Sequence, residues 1–354
     1  MSLEINQLVL YMSYGDAISN SAINMKKMLH SKGIKSEIYA QAVDPNLGEQ
    51  VRPLHEAPLG EPVIYHMGIG CDLAQLLTQF TSKRILLYHN ITPSHFFTGY
   101  DPFAESLCAR GRQELAFLRP YVDIAFADSE FNRQELIQYG YNRTAVTPII
   151  MNFEDYHLPP NPAMMHHLSA TKRDKDLLFV GRVVPNKKQQ DIIRIFYYYK
   201  NYFAPDARLF LVGRGDPLYL KETQQLVASL NLEDVHITGH IHYDQLLAYY
   251  RNADLFLCMS EHEGFGVPLL EAMQFQLPII AYDAAAVGET VGDGGILVQQ
   301  KDYFGIAALV NQVLGDEGLK QNMLHHQKAR LHYYSSYHTT QMFWDQIKTE
   351  FSIP

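Results

Sequence analysis

Residues Asp254–Met273, DLFLCMSEHEGFGVPLLEAM, give the clearest indication of the fold of this chain. The first six of these residues form an apolar run typical of a buried strand, and a turn containing Gly264 and Gly266 follows. Pro268 then opens a stretch with helical periodicity, because proline is favoured in the first turn of a helix. The stretch therefore predicts one strand–loop–helix unit of a parallel α/β sheet.

The same alternation of short apolar runs and longer helical stretches extends through the rest of the chain. A first series of expected strands comprises Leu8–Met12, Glu37–Ala40, Val63–Met67, Ile85–His89, Ile124–Ala127 and Ala145–Ile150. A second series comprises Leu177–Val180, Leu209–Val212, Val235–Thr238, Leu255–Met259 and Ile279–Tyr282. This rhythm predicts an α/β protein with two Rossmann-like, doubly wound parallel sheets.

The length of 354 residues exceeds what one hydrophobic core usually supports, so we expect two domains. The proline-containing segment 151–175 has little periodicity, which places the boundary near residue 155. Domains at 1–155 and 156–332 follow, and the apolar residues at helical intervals in 333–354 predict a terminal helix that docks on the first domain. Ligands of such sheets bind at the carboxyl ends of the strands, so we expect the site in the cleft between the domains.

Bulk composition narrows the classes of partner. The formal net charge of -9 opposes binding to a nucleic acid backbone. Three widely spaced cysteines, and the lack of a secretory leader ahead of Leu3, favour a reducing cytoplasm. The apolar runs are too short to span a bilayer. A lysine-rich helix over 22–35 is either an ordinary solvated face or a peripheral contact with the inner face of the cytoplasmic membrane, through Lys26, Lys27, Lys32 and Lys35.

Two carboxylates flank the glycine turn of the opening stretch. A helix that begins there presents free N–H groups suited to a diphosphate. Glu271, near the helix start, could accept hydrogen bonds from a ribose, and Glu263, in the loop, could reach hydroxyls of a sugar. The alternative is that Glu263 caps the turn and Glu271 is a solvated helical residue. Spacing alone leaves both interpretations open.

Other strand ends also carry polar residues. Arg182 and Lys187 follow the strand that ends at Val180, where they form an anion site or are two surface cations. His89 ends a strand of the first half, in a binding or a structural role, and Ser129 is first of all a helix cap. Paired histidines such as His166–His167 point in different directions on a helix, so no metal site is expected.

The residues around the two carboxylates resemble a known family. Glu263 and Glu271, with Ser260, Gly264–Phe265–Gly266 and Leu270–Met273, resemble the Glu-x7-Glu signature of retaining glycosyltransferase family 4, which has the GT-B fold. The resemblance continues through residues 278–281, 289–291 and 295–298 and is strongest from 177 to 298. The chain departs at Gln276 and at Lys188, where the family usually or often has Gly, and at Gly288, where Pro is common.

The resemblance implies roles for individual residues. Arg182 and Lys187 resemble a Gly-Arg-x4-Lys element that holds the donor diphosphate, and His89 resembles a histidine near the transferred sugar. With Glu263 these form the implied catalytic set. The implied donor-binding residues are Glu271, Gly264, Phe265, Gly266, Val267, Pro268, Leu269, Gly15, Asp16, Gly181, Gly213, Arg214, His240 and Ile241. In the family's glycine loop, the usual Gly-Gly pair is here reduced to Gly15.

The reaction implied by the resemblance is retaining transfer of a hexose from a nucleotide sugar to a glycan or lipid-linked glycan, in polysaccharide biosynthesis. UDP-glucose is the first expected donor and GDP-mannose the second, with no metal and no cofactor. The first domain is then the acceptor side and the second the donor side. The alternatives are a phosphorylase or epimerase on the same fold, a non-catalytic glycosyltransferase-like binding subunit, and a nicotinamide dehydrogenase, which the lack of a GxGxxG motif disfavours.

Overall fold

The computed structural model describes residues 3–13 and 16–353 and divides the chain into two compact units. Unit 1 contains Met1–Thr98, Pro102–Asn152 and Tyr333–Pro354. Unit 2 contains Phe153–His332 together with Gly99–Asp101, a short piece from within the first half of the chain.

Unit 1 is built on a seven-stranded parallel sheet with the order β3-β2-β1-β4-β5-β6-β7. Its strands are β1 Asn6–Met12, β2 Ile38–Val43, β3 Val51–Pro53, β4 Val63–Met67, β5 Arg84–Tyr88, β6 Ile124–Ala127 and β7 Thr144–Val146. Its helices are α1 Ala17–Ser31, α2 Leu73–Leu77, α3 Pro102–Leu118, α4 Glu130–Gln138 and the terminal α13 Ser336–Phe351. Strands β4 and β6 are buried along their whole length, as expected of central strands of a parallel sheet with both faces covered.

Unit 2 is built on a six-stranded parallel sheet with the order β10-β9-β8-β11-β12-β13. Its strands are β8 Asp176–Val180, β9 Arg208–Val212, β10 Val235–Gly239, β11 Leu255–Cys258, β12 Ile279–Tyr282 and β13 Ile296–Val298. Its helices are α5 Pro162–Thr171, α6 Gln189–Tyr202, α7 Pro217–Ser229, α8 Tyr243–Asn252, α9 Val267–Gln274, α10 Val287–Val291, α11 Tyr303–Gly315 and α12 Glu317–Tyr333.

The predicted fold class, two doubly wound parallel sheets, is confirmed. Every expected strand is present within a few residues, but β7 ends at Val146 rather than Ile150. Two edge strands, β3 and β13, were not predicted from periodicity. Each has three residues, too few to show a strand pattern.

The terminal helix α13 packs into the core of unit 1. Phe343 and Ile347 are fully buried there, and the ring of Phe343 meets that of Phe126 edge to face. Burial of an apolar side chain of this size contributes roughly 1.5–3 kcal/mol. The Glu350 carboxylate pairs with Lys83 and Arg143, which fixes the end of the helix.

The lysine-rich segment differs from the expected helix over 22–35. Helix α1 ends at Ser31, Lys32 is its C-cap residue, and the backbone of Lys35 forms a parallel β-bridge with that of Glu4. Lys26 is not a free surface cation, because its Nζ lies 2.7 Å from the Glu37 carboxylate. Lys32 lies over the Trp344 ring. Lys27, Lys32 and Lys35 are exposed, and contact of this segment with a membrane surface stays a prediction. No helix within the described ranges is long and apolar enough to cross a membrane.

Candidate functional site

The topology of unit 2 locates its binding edge. Counted from β8, the strand order is 3-2-1-4-5-6, so the direction of winding reverses between the neighbouring strands β8 and β11. In doubly wound sheets, ligands bind beyond the carboxyl ends of the two strands at this reversal. The loops that follow β8 and β11 are the ones in which Lys187 and Glu263 lie.

These two loops are joined by hydrogen bonds and by one ion pair. The amide of Glu261 donates to the carbonyl of Asn186 at 2.8 Å, and Asn186 Nδ2 donates to the carbonyl of His262 at 3.1 Å. Lys187 Nζ then lies 2.5 Å from Glu263 Oε2. The lysine side chain is 19% exposed and the glutamate 14%, so the pair is accessible yet largely removed from water. The Glu263 carboxylate is therefore paired with a cation of the neighbouring loop.

A second ion pair runs beside the first. Lys188 Nζ lies 3.0 Å from Glu261, whose other oxygen is 2.7 Å from Lys301. Burial opposes ionisation of Glu261, but these two lysines outweigh it and lower the pKa of the carboxyl. Lys301 also pairs with Asp191 at 2.8 Å. Glu261 and Lys301 were not predicted as site residues, because nothing in their spacing distinguishes them from surface charges.

The start of helix α9 adds backbone donors. Gly266 precedes the helix with φ 92°, a left-handed conformation that favours glycine. Pro268 has no N–H, and the amide of Leu269 donates to the carbonyl of Gly266 at 2.9 Å. The expected set of diphosphate donors, Gly266 to Leu269, is thus reduced to the amides of Gly266 and Val267.

The loops after β8, β9 and β10 lie side by side. The amide of Val183 donates to the carbonyl of Arg214 at 2.8 Å, and Gly213 forms an antiparallel bridge with Gly239. A Cβ atom on Gly213 would meet the carbonyl oxygen of Gly181 at 2.1 Å, so these loops can approach only because residue 213 is glycine.

The predicted donor residues of these loops differ in exposure. Arg182, Arg214 and His240 are exposed and Ile241 is half-buried. Within residues 3–13 and 16–353, neither Arg182 nor Arg214 has a carboxylate partner. The structure therefore brings Arg182, Gly181, Gly213 and Arg214 together on adjoining loops.

Glu271 lies in a tyrosine-lined pocket rather than on the helix surface. Its two carboxylate oxygens accept hydrogen bonds from the hydroxyls of Tyr156 at 3.0 Å and Tyr250 at 2.6 Å. Burial raises the pKa of Glu271 above its usual range, although both tyrosine hydroxyls act in the opposite direction. The interpretation of Glu271 as a solvated helical residue is wrong. Both tyrosines were missed, because they lie 115 and 21 residues away in sequence.

His89 and Asp16 belong to unit 1, and both have local partners. The His89 side chain is 2% exposed, with Nδ1 2.7 Å from Asp128 and Nε2 2.9 Å from His66. Asp16 caps α1 by accepting from the amide of Ser19. In the same way Ser129 caps α4, as predicted. Gly15 lies outside the described residues.

The fold and this site define a two-domain Rossmann-type protein whose second domain presents cations, a carboxylate and helix amides at one switch point. Residues 163–330 match the family model described as glycosyl transferases group 1, and this part of the chain is a domain of that family.

Two curated relatives illustrate the match. The chain is 34% identical over 156 residues to N-acetyl-alpha-D-glucosaminyl L-malate synthase of Bacillus anthracis, which covers 43% of this chain and 39% of the relative. It is 23% identical over 207 residues to the capsular polysaccharide biosynthesis glycosyltransferase CapM of Staphylococcus aureus, covering 57% of this chain and 52% of the relative. The chain thus spans about half the length of the curated relatives it matches, or less.

A solved structure resembles the whole chain. Alr3699/HepE of Anabaena, crystallised in complex with UDP-glucose, superposes with a TM-score of 0.76 and 18% identity, covering 98% of this chain and 100% of the other. The sucrose-phosphate synthase of Thermosynechococcus elongatus gives a TM-score of 0.77 at 17% identity. At this level of identity the likeness concerns the fold, which is the GT-B type that the sequence predicts.

Proposed function

We propose that this chain is a retaining, metal-independent glycosyltransferase that moves a hexose from a nucleotide sugar to a hydroxyl of a glycan or lipid-linked glycan. The observation that carries the proposal is the Lys187–Glu263 pair, held at 2.5 Å at the switch point of unit 2. A cation suits a departing diphosphate, and a carboxylate oriented by that cation suits sugar hydroxyls. The family match of residues 163–330 supports the same reaction class.

The diphosphate of the donor would meet several positive groups. Arg182 and Lys187 follow β8, and the amides of Gly266 and Val267 lie at the start of α9. As the bond between the anomeric carbon and the diphosphate oxygen breaks, these groups stabilise the charge that develops on the leaving diphosphate.

Glu263 is proposed to bind the transferred sugar and not to attack it. The acceptor hydroxyl forms its bond to the anomeric carbon on the face from which the diphosphate departs, and a diphosphate oxygen takes the hydroxyl proton. The configuration at the anomeric carbon is thereby kept. Pairing with Lys187 orients the Glu263 carboxylate, whose oxygens accept hydrogen bonds from sugar hydroxyls.

Glu271 is proposed to accept the ribose hydroxyls of the donor by exchange with a tyrosine. The Tyr156 hydroxyl makes the longer of the two bonds to Glu271, 3.0 Å against 2.6 Å for Tyr250. Tyr156 belongs to a short turn, Phe153–His157, at the beginning of unit 2, whereas Tyr250 is fixed in helix α8. Tyr156 is therefore the partner that a ribose replaces.

The donor is proposed to be UDP-glucose first and GDP-mannose second. The resemblance in fold to the Anabaena protein crystallised with UDP-glucose supports the first, and the relationship to CapM supports a place in polysaccharide biosynthesis. The acceptor is proposed only as a class, a hydroxyl-bearing glycan.

The proposal is tested by measuring free nucleoside diphosphate released from UDP-glucose or GDP-mannose with a panel of glycan acceptors. Glu263→Gln should lose about 100-fold or more in kcat, the scale for removing one group that stabilises the transition state. The matched control is Glu261→Gln, two residues earlier in the same loop and also paired with a lysine, which should keep most of the turnover.

Unchanged turnover in Glu263→Gln would remove that residue from the site. If the wild-type protein binds nucleotide sugars without releasing diphosphate across the panel, the chain is instead a non-catalytic binding subunit.

A further inference from the structure

Four polar side chains form a line across the sheet of unit 1. They come from neighbouring strands or strand ends: Gln7 in β1, His66 in β4, His89 after β5 and Asp128 after β6. Gln7 Oε1 lies 2.9 Å from His66 Nε2, His66 Nδ1 lies 2.9 Å from His89 Nε2, and His89 Nδ1 lies 2.7 Å from Asp128 Oδ2. Gln7, His66 and Asp128 are at most 3% exposed. We call this set the unit 1 relay.

The direction of the hydrogen bonds in the unit 1 relay is set at the Gln7 end. Gln7 Nε2 donates to the carbonyl of Ala22 at 3.1 Å, and a carbonyl can only accept. The amide oxygen of Gln7 therefore faces His66, and His66 Nε2 must carry a proton to bond with it.

The remaining two links each need a proton as well. Two ring nitrogens 2.9 Å apart are bonded only if one of them is protonated, and the same holds for a ring nitrogen and a carboxylate oxygen. Three bridges thus need three protons. Two neutral histidines supply two, and an ionised aspartate supplies none.

We propose that the unit 1 relay retains one additional proton at neutral and mildly alkaline pH, with Asp128 and His66 acting as positioning residues that hold His89 in one orientation. The relay is then electrically neutral as a whole, whereas two neutral histidines with an ionised Asp128 would bury a net negative charge. Burial of an unbalanced charge is costly, and this cost favours the state of the relay that retains the additional proton. Only the catalytic significance of His89 rests on the proposed transferase function.

The position of the additional proton follows from burial. Burial, and then the neighbouring His89, lower the pKa of His66 well below its usual range, so His66 is neutral. Burial raises the pKa of Asp128, against the effect of His89. The proton is therefore shared in the bridge between His89 Nδ1 and Asp128 Oδ2. Asp128 Oδ1 is buried and accepts no hydrogen bond from the described residues, so it contributes little to stabilising a free carboxylate charge.

Charged and titratable groups on the surrounding elements have other partners. Asp16 on α1 accepts from Ser19, and His30 on the same helix contacts Ser36. Glu135 on α4 pairs with Arg112 from α3 and accepts from Tyr88 of β5. Among the described residues, His89 is the one charged or titratable neighbour that shifts the pKa of His66 or Asp128.

The test compares the pH dependence of unfolding of the full chain with that of Asp128→Asn. An asparagine amide donates to His89 Nδ1, so all three bridges close with two neutral histidines and no additional proton. Trp344, the single tryptophan, packs against the unit 1 core and reports its unfolding by fluorescence.

We expect the free energy of unfolding of the wild type to depend more steeply on pH than that of Asp128→Asn. Unfolded histidines are largely neutral above about pH 7.5, so unfolding of the wild type releases the relay proton into solution. The folded state binds more protons than the unfolded state, and stability therefore falls as pH rises. Between about pH 7.5 and 9, the wild-type unfolding constant should rise about tenfold per pH unit relative to that of Asp128→Asn.

Asp123→Asn is the control. Asp123 accepts from the amide of Arg84 in the same unit and has no histidine partner among the described residues. The pH dependence of unfolding of Asp123→Asn should therefore match that of the wild type. Equal slopes for wild type and Asp128→Asn would overturn the proposal.

If Asp128→Asn does not fold, the far-downfield proton NMR spectrum of the wild type decides. Three bridging protons assigned to the relay at pH 8 support the proposal, and two overturn it. Neither measurement involves a sugar donor, so a failure here is distinct from a failure to release diphosphate.

Discussion

Units 1 and 2 share the same strand order, but the polar residues at the reversal of winding are buried in unit 1 and partly exposed in unit 2. Both sheets run 3-2-1-4-5-6 in order, and unit 1 adds a seventh strand at the edge. In unit 1, the residues at the reversal are Gln7 and His66, which are buried and linked to each other. In unit 2, they are Lys187 and Glu263, which are oppositely charged and partly exposed.

The position of a residue along its strand therefore matters as much as the topology of the sheet. Gln7 and His66 lie within their strands, where both faces of a parallel sheet are covered, so polar groups must satisfy one another. Lys187 and Glu263 lie in the loops beyond β8 and β11, where water and ligands have access. The same fold thus gives an internal polar network in one unit and a partly exposed, oppositely charged pair in the other.

The largest effect that separates the units is expected for Gly213→Ala. A Cβ there would lie 2.1 Å from the carbonyl oxygen of Gly181, and φ is 146°, which L-residues rarely adopt. Backbone cannot yield as a side chain does, so we expect a loss of more than about 3 kcal/mol in unit 2. Chemical denaturation followed by far-UV circular dichroism measures it, while the Trp344 fluorescence transition of unit 1 should stay near its wild-type midpoint.

The control for this change is Gly315→Ala in the same unit, where an added Cβ meets nothing within 4 Å. It should change stability by no more than about 0.5 kcal/mol. If Gly213→Ala unfolds at the same denaturant concentration as the wild type, the loops after β8 and β9 can separate without loss of stability.

A smaller effect is expected at the buried carboxylate of unit 2. Tyr250→Phe removes the 2.6 Å hydrogen bond to Glu271 and should cost about 2 kcal/mol at pH 8, the scale for a bond to a charged group. Because burial raises the pKa of Glu271, the folded state binds this proton more tightly than the unfolded state. The free-energy cost of burying the ionised Glu271 carboxylate is therefore present above the pKa that Glu271 has in the folded state. This cost falls as the pH decreases through that pKa. Urea denaturation at pH 8 and pH 5 should show the larger loss at pH 8.

Tyr249→Phe is the neighbouring control, since no described group shares a hydrogen bond with its hydroxyl. It should lose less than about 0.5 kcal/mol at both pH values. An equal loss for Tyr250→Phe at pH 5 and pH 8 would show that the charge of Glu271 does not change between these two pH values in the folded protein.

The sequence predicts the sheets well and the site incompletely, for a physical reason. Strands of four or more apolar residues are visible in one dimension, whereas β13, with three residues, is not. Lys187 and Glu263 were predicted by residue type, but the loop contact through Asn186 that joins them is a tertiary feature. Likewise His89 carried a binding and a structural interpretation, and its burial beside His66 could not be read from spacing.

The smallest expected effect concerns how helices end in the two units. In unit 1, the residues two positions beyond α1 and α4 are Gly33 and Gly140, with φ 76° and 86°. In unit 2, the equivalent residues after α7 and α9 are Asn231 and Gln276, with φ 52° and 56°. The left-handed conformation costs a residue with a Cβ about 1 kcal/mol, less for asparagine, because its side chain bonds locally to the backbone.

Gln276→Gly should therefore stabilise unit 2 by about 1 kcal/mol, measured as a shift in denaturation midpoint at constant slope. Gln276 is exposed, so little packing is lost with its side chain. Asn231→Gly, at the same position relative to its helix, should gain no more than about 0.5 kcal/mol, because asparagine already tolerates this conformation. If the two substitutions stabilise unit 2 equally, relief of strain in the left-handed backbone is not the cause of the stabilisation. The glycines that end the helices of unit 1 would then confer no advantage over the residues that end those of unit 2.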